Sequence, residues 1–554
     1  MTTPPDFRWP ANSLDVEADR ATLRAVRSIA RGGDMKRAAV MAEEALKTGL
    51  EHAFLLTMSA IGLENEGRLP DALVRLLRAA ELAPLDIGVL NALGLCLHRL
   101  DRPIEALERF DAVLKIDPTL AVAHANRGGA LLARGLLEEA EASYREALAL
   151  DPNLVAATAG LASIATRRGA HGVAQPLAEK VLKAVPNFPE AVMSVVAAEL
   201  AAGSSGESEA LLRRLLSDPQ LSLFNLTYAT GLLGDVLDAQ NRPAEAFEAY
   251  SASNVHQQRL YADSFAGGQS ALEYVELMNG YFKTARPDAW AARSAPRADS
   301  GAVLQHVFLV GFPRSGTNLL EVILESHPQV QTLEEQECLI DGVRSFMRDA
   351  ADLQRLSEAP ESELQPLRDA YWRRATQKGL IVAGKVFVDR YALNSLKLPL
   401  IARLFPSAKI VFARRDPRDV VLSCFRHRFQ MSYPMYQMLT LVGSAAFYDA
   451  VMRLAVRLDT LLPLQTLYVR YESLVENFES ESRSVCAFLG LTWTQALGDF
   501  SALTQERAVA TSSTLQLDRD LRTDGLGQWR RYRAQMQPVL AMLEPWVERF
   551  GYSR

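Results

Sequence analysis

Residues His306 to His327 read HVFLVGFPRSGTNLLEVILESH, and this stretch decides the fold of the second half of the chain. His306-Val307-Phe308-Leu309-Val310 is a short β-branched and aromatic run of the kind that makes a buried strand. Gly311 and Gly316 then bracket Pro313, Arg314 and Ser315 in a tight loop. From Thr317 onward, the spacing of Leu319, Leu320, Ile323 and Leu324 predicts a helix. A strand, a glycine loop and a helix in that order aim backbone N–H groups and the positive helix end at one point. A phosphate or sulfate group binds at such a point. The plainer alternative is a strand–helix turn whose glycines only permit close packing.

The loop is not a nucleotide-triphosphate loop of the Gly-Lys-Ser/Thr kind, in which the lysine meets the β- and γ-phosphates and the hydroxyl meets Mg²⁺. Gly316 is followed by Thr317 and Asn318, and the cation comes earlier, at Arg314. An arginine is a fixed, bidentate fork for phosphate or sulfonate oxygens. The expectation is an oxyanion held by protein donors with no metal required.

Downstream, Leu380-Ile381-Val382-Ala383 is expected to be a second strand ending at Gly384-Lys385. A helix is expected from Asn394 to Phe405, and a strand at Lys409-Ile410-Val411-Phe412-Ala413. That strand runs into Arg414-Arg415-Asp416-Pro417, where Pro417 suits the first turn of the next helix. Thr466-Leu467-Tyr468-Val469 is a further strand. Short strands alternating with helices imply a parallel sheet covered on both faces, with ligands at the carboxyl ends of its strands. The Arg314 loop, Lys385 and Arg415 all follow expected strand ends, so they are expected to converge.

The first half is an array. Prolines recur 34 positions apart at Pro84, Pro118, Pro152 and Pro186, and alanines keep the same register at Ala72, Ala106, Ala140 and Ala174. Four places after each alanine stands Leu76, Phe110, Tyr144 or Ala178, and small residues repeat at Ala60, Gly94, Gly128 and Ala162. Small residues that let paired helices approach, with a proline ending each unit, resemble the tetratricopeptide repeat. About seven units are expected. The chain as a whole is therefore expected to be multidomain: an all-α tetratricopeptide-repeat solenoid over residues 15–253, a helical segment and linker over 254–302, and an α/β, P-loop-like parallel-sheet domain over 303–554. Such arrays often bind peptides on a concave face; self-association or support of the next domain is the plainer role.

With 554 residues, 49% hydrophobic and 23% charged, the chain has the composition of ordinary multidomain globular protein. A net charge of -6 suggests no general affinity for nucleic acid, so any anion site must be local. Cys96, Cys338, Cys424 and Cys486 are far apart and fit a reducing compartment rather than a disulfide framework or a zinc site. The first residues show no apolar core of a secretion signal, and no run is long and apolar enough to span a membrane, so a cytoplasmic location is expected.

PRSGT after a strand, followed by RRDPRDVVLSCF with Arg415 and Ser423 eight apart, resembles the sulfotransferases that use 3′-phosphoadenosine 5′-phosphosulfate. The resemblance covers about Val303 to Tyr532 and, with the repeats in front, is to the repeat-bearing bacterial members. The second domain is similar in its motifs to tyrosylprotein sulfotransferases. The resemblance implies that Arg314, Ser315, Gly316, Thr317 and Asn318 cradle the 5′-phosphosulfate. It implies that Arg415 and Ser423 hold the 3′-phosphate, with Ser513 near the leaving phosphate and Arg522 on the 3′-phosphate. Arg314 and Lys385 would neutralise charge in the transfer. In the Glu-base branch the base stands 21 places after the loop arginine, which falls on Glu335, with Glu334 second and Glu337 close. An acidic helix start is the plainer account of that cluster. The chain departs from the pattern at Asn318, where a second threonine is usual, at Gln528, and at Asp518 and Asp520 around Arg519.

The implied activity is transfer of a sulfuryl group to a hydroxyl acceptor, a protein or peptide tyrosine among the candidates, with adenosine 3′,5′-bisphosphate as product. The repeat array is expected to bind a protein or peptide partner or to position the acceptor. Two other readings stay open: a repeat-based interaction scaffold with a catalytically silent nucleotide fold, and a small-molecule kinase. The missing Gly-Lys-Ser/Thr weighs against the kinase.

Overall fold

The computed structural model describes residues 17–100, 102–219, 221–291, 303–377, 379–498 and 525–553. The chain divides into two compact units after Val236. Each is built on its own periodicity.

In the first unit, helices come in antiparallel pairs, such as α1 (Ile87–Arg99) with α2 (Pro103–Ile116) and α3 (Ala121–Ala133) with α4 (Leu137–Leu150). Asp86 starts α1 by accepting from the Val89 N–H, and Pro103 stands in the first turn of α2, where no N–H is needed. The small–large pattern is a packing rule. A Cβ added at Gly94 would lie 2.6 Å from the Phe110 ring, and one at Gly128 would lie 2.8 Å from Tyr144. The ring of each second helix thus occupies the space that the glycine of its partner leaves. Equivalent first helices are also tied: Asn126 Nδ2 donates to Asn91 Oδ1 at 2.9 Å.

The second unit includes α5 (Pro243–Phe265) and α6 (Ala271–Thr284), which pack onto its α/β part. Asn254 and Asn279, buried on these helices, donate to the carbonyls of Phe425 and Ala450. The sheet has five parallel strands: β1 (Gln305–Val310), β2 (Val330–Glu334), β3 (Val386–Arg390), β4 (Lys409–Arg414) and β5 (Gln465–Arg470), in the order β2-β3-β1-β4-β5. Beside them in the chain run α7 (Thr317–Glu325) after β1, α8 (Glu361–Thr376) before β3, α9 (Leu398–Leu404) before β4, α10 (Pro417–Arg426) and α11 (Leu441–Leu461) before β5, α12 (Phe478–Leu489) after it, and α13 (Arg533–Arg549) near the end. Both faces of the sheet are covered, so β1 is buried from His306 to Val310 and reads as a continuous apolar run. The sheet winds outward in both directions from β1, which makes its carboxyl end, beside that of β4, the switch point.

Two expectations change. Residues 380–385 are turn and irregular structure, with Ile381 largely exposed and Gly384 in the left-handed region. The strand is instead Val386–Arg390, wholly buried although it ends in Asp389 and Arg390. The other change is β2, which no sequence pattern announced: Glu334 is its last residue rather than part of a helix start.

The polar strand end is accommodated by a buried relay. Tyr371 Oη on α8 donates to Asp389 Oδ2 at 2.8 Å, and His306 Nε2 lies 2.8 Å from the same hydroxyl. The tyrosine proton goes to the aspartate, so the imidazole is the donor to the oxygen of Tyr371. Burial pushes the His306 ring down to about 3 and the Asp389 carboxyl up to about 7, the latter against the lowering effect of the Tyr371 hydrogen bond. An aspartate raised in the folded state stabilises below its unfolded value of 3.8, and that contribution is lost as the pH rises toward 7. Asp389→Asn is therefore expected to raise the thermal midpoint by about 5 °C at pH 8 and to leave it nearly unchanged at pH 4 in calorimetric scans.

Candidate functional site

Parallel pairing brings five chain exits to one edge of the sheet. The loop after β1, Glu335 after β2, Arg390 at the end of β3, Arg415 after β4 and Arg470 at the end of β5 all lie there.

The β1 loop is closed by its own atoms. Ser315 Oγ and its backbone N–H both go to the carbonyl of Phe312, at 2.6 Å and 3.2 Å, and Cys424 Sγ lies 3.3 Å from the carbonyl of Pro313. The Ser315 hydroxyl is thus used within the loop. A Cβ at Gly311 would sit 2.6 Å from Ser315 Oγ and 2.8 Å from the carbonyl of Ala413, so only glycine lets the loop turn over β4. Arg314 and Gly316 have φ of 68° and 100°. This pair of left-handed residues swings the arginine side chain across and starts α7 with its first-turn N–H groups at the loop. Thr317 is buried in that first turn, and Asn318 follows it half-buried.

Arg314 Nε donates to Ser423 Oγ on α10 at 3.1 Å. Arg415 Nη1 donates to the carbonyl of Arg314 at 3.2 Å and Nη2 to the carbonyl of Gly525 at 2.5 Å, while its plane lies over the Tyr471 ring. Among the described residues, Arg415 Nε is buried with no hydrogen-bond partner. Burial lowers the Arg314 guanidinium from its usual value, and the positive charges of Arg415 and Arg426 lower it further. Cations gathered this closely, one with an orphaned N–H, beside a helix N-terminus, are complementary to a phosphate or sulfonate group. Three of the residues that sequence pattern singled out, Arg314, Arg415 and Ser423, therefore meet. Asp419 on α10 holds the neighbouring chain segment by accepting from the N–H groups of Gly527 and Trp529.

On the other side of the loop stand the carboxylates. Glu335 has φ of 38°, and its Oε1 accepts from Arg390 Nη1 at 2.5 Å. Arg390 is fully buried and also donates to Glu321 Oε2 (2.6 Å), Asn318 Oδ1 (3.0 Å) and Glu334 Oε1 (2.9 Å). Burial alone would lower this guanidinium; Glu321, Glu335 and Glu334 outweigh it and hold it above its usual value.

Lys385 is not brought to this edge. It precedes β3, its carbonyl accepts from Leu304 N–H at the start of β1, and its Nζ donates to the carbonyl of Pro328. A five-residue strand separates it from the site by about 16 Å. The cation at the end of β3 is Arg390. The strand holding Arg390 carries two charged residues, so its hydrophobic signal is masked; the preceding apolar run drew attention to the wrong end. Ser513 and Arg522 lie outside the described residues, as do Asp518 and Asp520. Gln528 Oε1 accepts from Arg426 Nη1 at 3.1 Å.

Residues 306–495 match the sulfotransferase family, and residues 121–154 match the tetratricopeptide repeat. The chain is 26% identical over 267 residues to protein-tyrosine sulfotransferase 1 of Danio rerio, covering 45% of this chain and 72% of that protein. It is 25% identical over 250 residues to an uncharacterized protein of Aquifex aeolicus, covering 43% of this chain but only 32% of that one. A solved sulfotransferase domain from the Synechococcus PCC 7002 olefin synthase aligns over 47% of this chain and all of its own length, at 20% identity and a TM-score of 0.34. The chain thus carries a sulfotransferase-family domain behind tetratricopeptide repeats.

The closed loop sets a stability test. Gly311→Ala is expected to cost about 1–3 kcal/mol, because the added methyl meets the backbone carbonyl of Ala413 as well as the Ser315 hydroxyl that closes the loop. Denaturant unfolding of the full chain measures it.

Proposed function

We propose that the sulfotransferase-family domain moves the sulfuryl group of 3′-phosphoadenosine 5′-phosphosulfate to a hydroxyl acceptor without a metal ion. The observation that carries this reading is one sheet edge with two chemistries. The Arg415 guanidinium reaches the carbonyl of Arg314 in the loop before α7, the Arg314 guanidinium reaches Ser423, and a tethered carboxylate, Glu335, stands at the next strand exit but one.

In this reading, Arg314 and the first-turn N–H groups of Thr317 and Asn318 hold the phosphosulfate end. Arg415 and Ser423 hold the 3′-phosphate. Glu335 takes the proton of the acceptor hydroxyl as the new O–S bond forms. The bond between sulfur and the bridging oxygen breaks, and adenosine 3′,5′-bisphosphate leaves with the electron pair. Arg314 meets the charge that develops on that oxygen, the task first expected of Lys385. Fixed placement of donor and acceptor supplies much of the remaining rate.

A protein or peptide tyrosine is the proposed acceptor, in line with the name of the zebrafish relative, and the repeats are proposed to hold a protein or peptide partner. The four cysteines are buried free thiols, which suits a reducing, cytoplasmic setting. Among the described residues, no helix is long and apolar enough to cross a membrane.

The test is thermal unfolding with adenosine 3′,5′-bisphosphate and no added divalent metal. At 100 times its dissociation constant the ligand is expected to stabilise the domain by about 2.7 kcal/mol, and Arg415→Ala is expected to abolish the shift. Stabilisation by ATP with Mg²⁺ instead would point to a kinase, and none with either ligand to a silent scaffold. In assays with labelled donor, Glu335→Gln is expected to slow transfer about 10²–10⁴-fold while keeping the bisphosphate shift. A larger loss in Glu334→Gln would move the base to that residue.

A further inference from the structure

Arg390 is the residue that joins the two sides of the site. Its Nη1 donates at once to Asn318 in the first turn of α7 and to Glu335 at the exit of β2. Its Nε is fixed by the buried Glu321 and its Nη2 by Glu334, so the guanidinium plane cannot turn. We infer that Arg390 is a positioning residue for sulfuryl transfer, holding the Glu335 carboxylate against the oxyanion loop; this rests on the sulfotransferase reading above.

Three observations carry the inference. The Glu335 side chain is 57% exposed, so packing does not orient it; its tether to Arg390 does. That tether is double, because Glu335 N–H also donates to the carbonyl of Arg390 at 2.9 Å. The backbone of Glu335 is left-handed at φ 38°, a conformation that costs a non-glycine residue free energy and persists only where surrounding bonds impose it. Strain of that kind is stored at the places where a side chain must point in one direction. A lysine at 390 has one compact charge in place of the fork and cannot satisfy Glu321, Asn318, Glu334 and Glu335 together.

The acceptor proton goes to Glu335 in this scheme, and Arg390 neither gains nor loses one. Its effect is on rate, through geometry. Arg390→Lys is expected to lower kcat about 10²-fold, with the KM for 3′-phosphoadenosine 5′-phosphosulfate and the thermal shift by adenosine 3′,5′-bisphosphate changed by less than about twofold. In a Glu335→Gln background the same substitution is expected to cause no further loss, because the group it positions is gone.

Turnover is read as bisphosphate release, with a synthetic tyrosine peptide as acceptor and with water alone. An additive loss in the double variant, or a change confined to KM, overturns the inference. So does an Arg390→Lys enzyme with wild-type kcat. If Arg390→Lys does not fold by circular dichroism, Glu334→Gln carries the test, since Glu334 is partly exposed and releases one tether of the same guanidinium. It is then expected to lower kcat several-fold alone and not at all beside Glu335→Gln; equal losses in both backgrounds overturn the inference. A wild-type chain that binds no bisphosphate and releases none sinks the sulfotransferase reading itself, which is a different result from a competent enzyme indifferent to Arg390. A chain that binds bisphosphate but turns over in neither assay overturns both.

Discussion

The parallel pairing of five strands is the constraint on which the site depends. Each strand leaves the sheet at the same edge, so residues far apart in sequence arrive together: the loop at 311–316, then Glu335, Arg390 and Arg415. A parallel strand cannot be reversed by a hairpin, and its crossover helix returns the chain to the far edge before the next strand begins. That is why Lys385, one residue before β3, lies a strand length from Arg390 at its end.

Charge is sorted along this edge. Arg314 and Arg415 gather beside β1 and β4, where they are complementary to an anion, while Arg426 is paired with Asp238. Glu321, Glu334 and Glu335 gather beside β2 and β3, around one cation, Arg390. A buried charge cluster of this sort is weak evidence for stability, since desolvation offsets much of the attraction, while removal of one member leaves an uncompensated charge. Its evident effect is on geometry: three elements, α7, β2 and β3, are held by one planar group. Behind it, Asp389 turns inward to Tyr371 and His306, so adjacent residues on β3 serve opposite faces, as strand alternation requires.

Much of this was legible in the chain. The 34-residue period needs only the facing of a glycine by an aromatic ring, as at Gly94 with Phe110, and that pattern is local. The glycine loop was legible for the same reason: a strand, glycines and a helix start follow one another within a dozen residues. Glu335 was reached through resemblance, by counting from Arg314, and the structure puts it at a strand exit on the same edge. What misled was β3. Its sequence, VFVDR, ends in two charges, and a run of greasier residues, LIVA, stands just before it. Hydrophobicity picks the second; only burial on both faces and pairing with β1 and β2 pick the first.

By itself, then, the sequence determined the repeat array, the parallel α/β domain and the glycine loop between β1 and α7, because these follow from short-range periodicity and from glycines with no alternative. The tertiary structure decided which cation stands at the site. Arg390 is placed by strand register and made tolerable by carboxylates from 69, 56 and 55 residues away in the chain. A buried charge is defined by the partners that surround it, and those partners are neighbours in space alone.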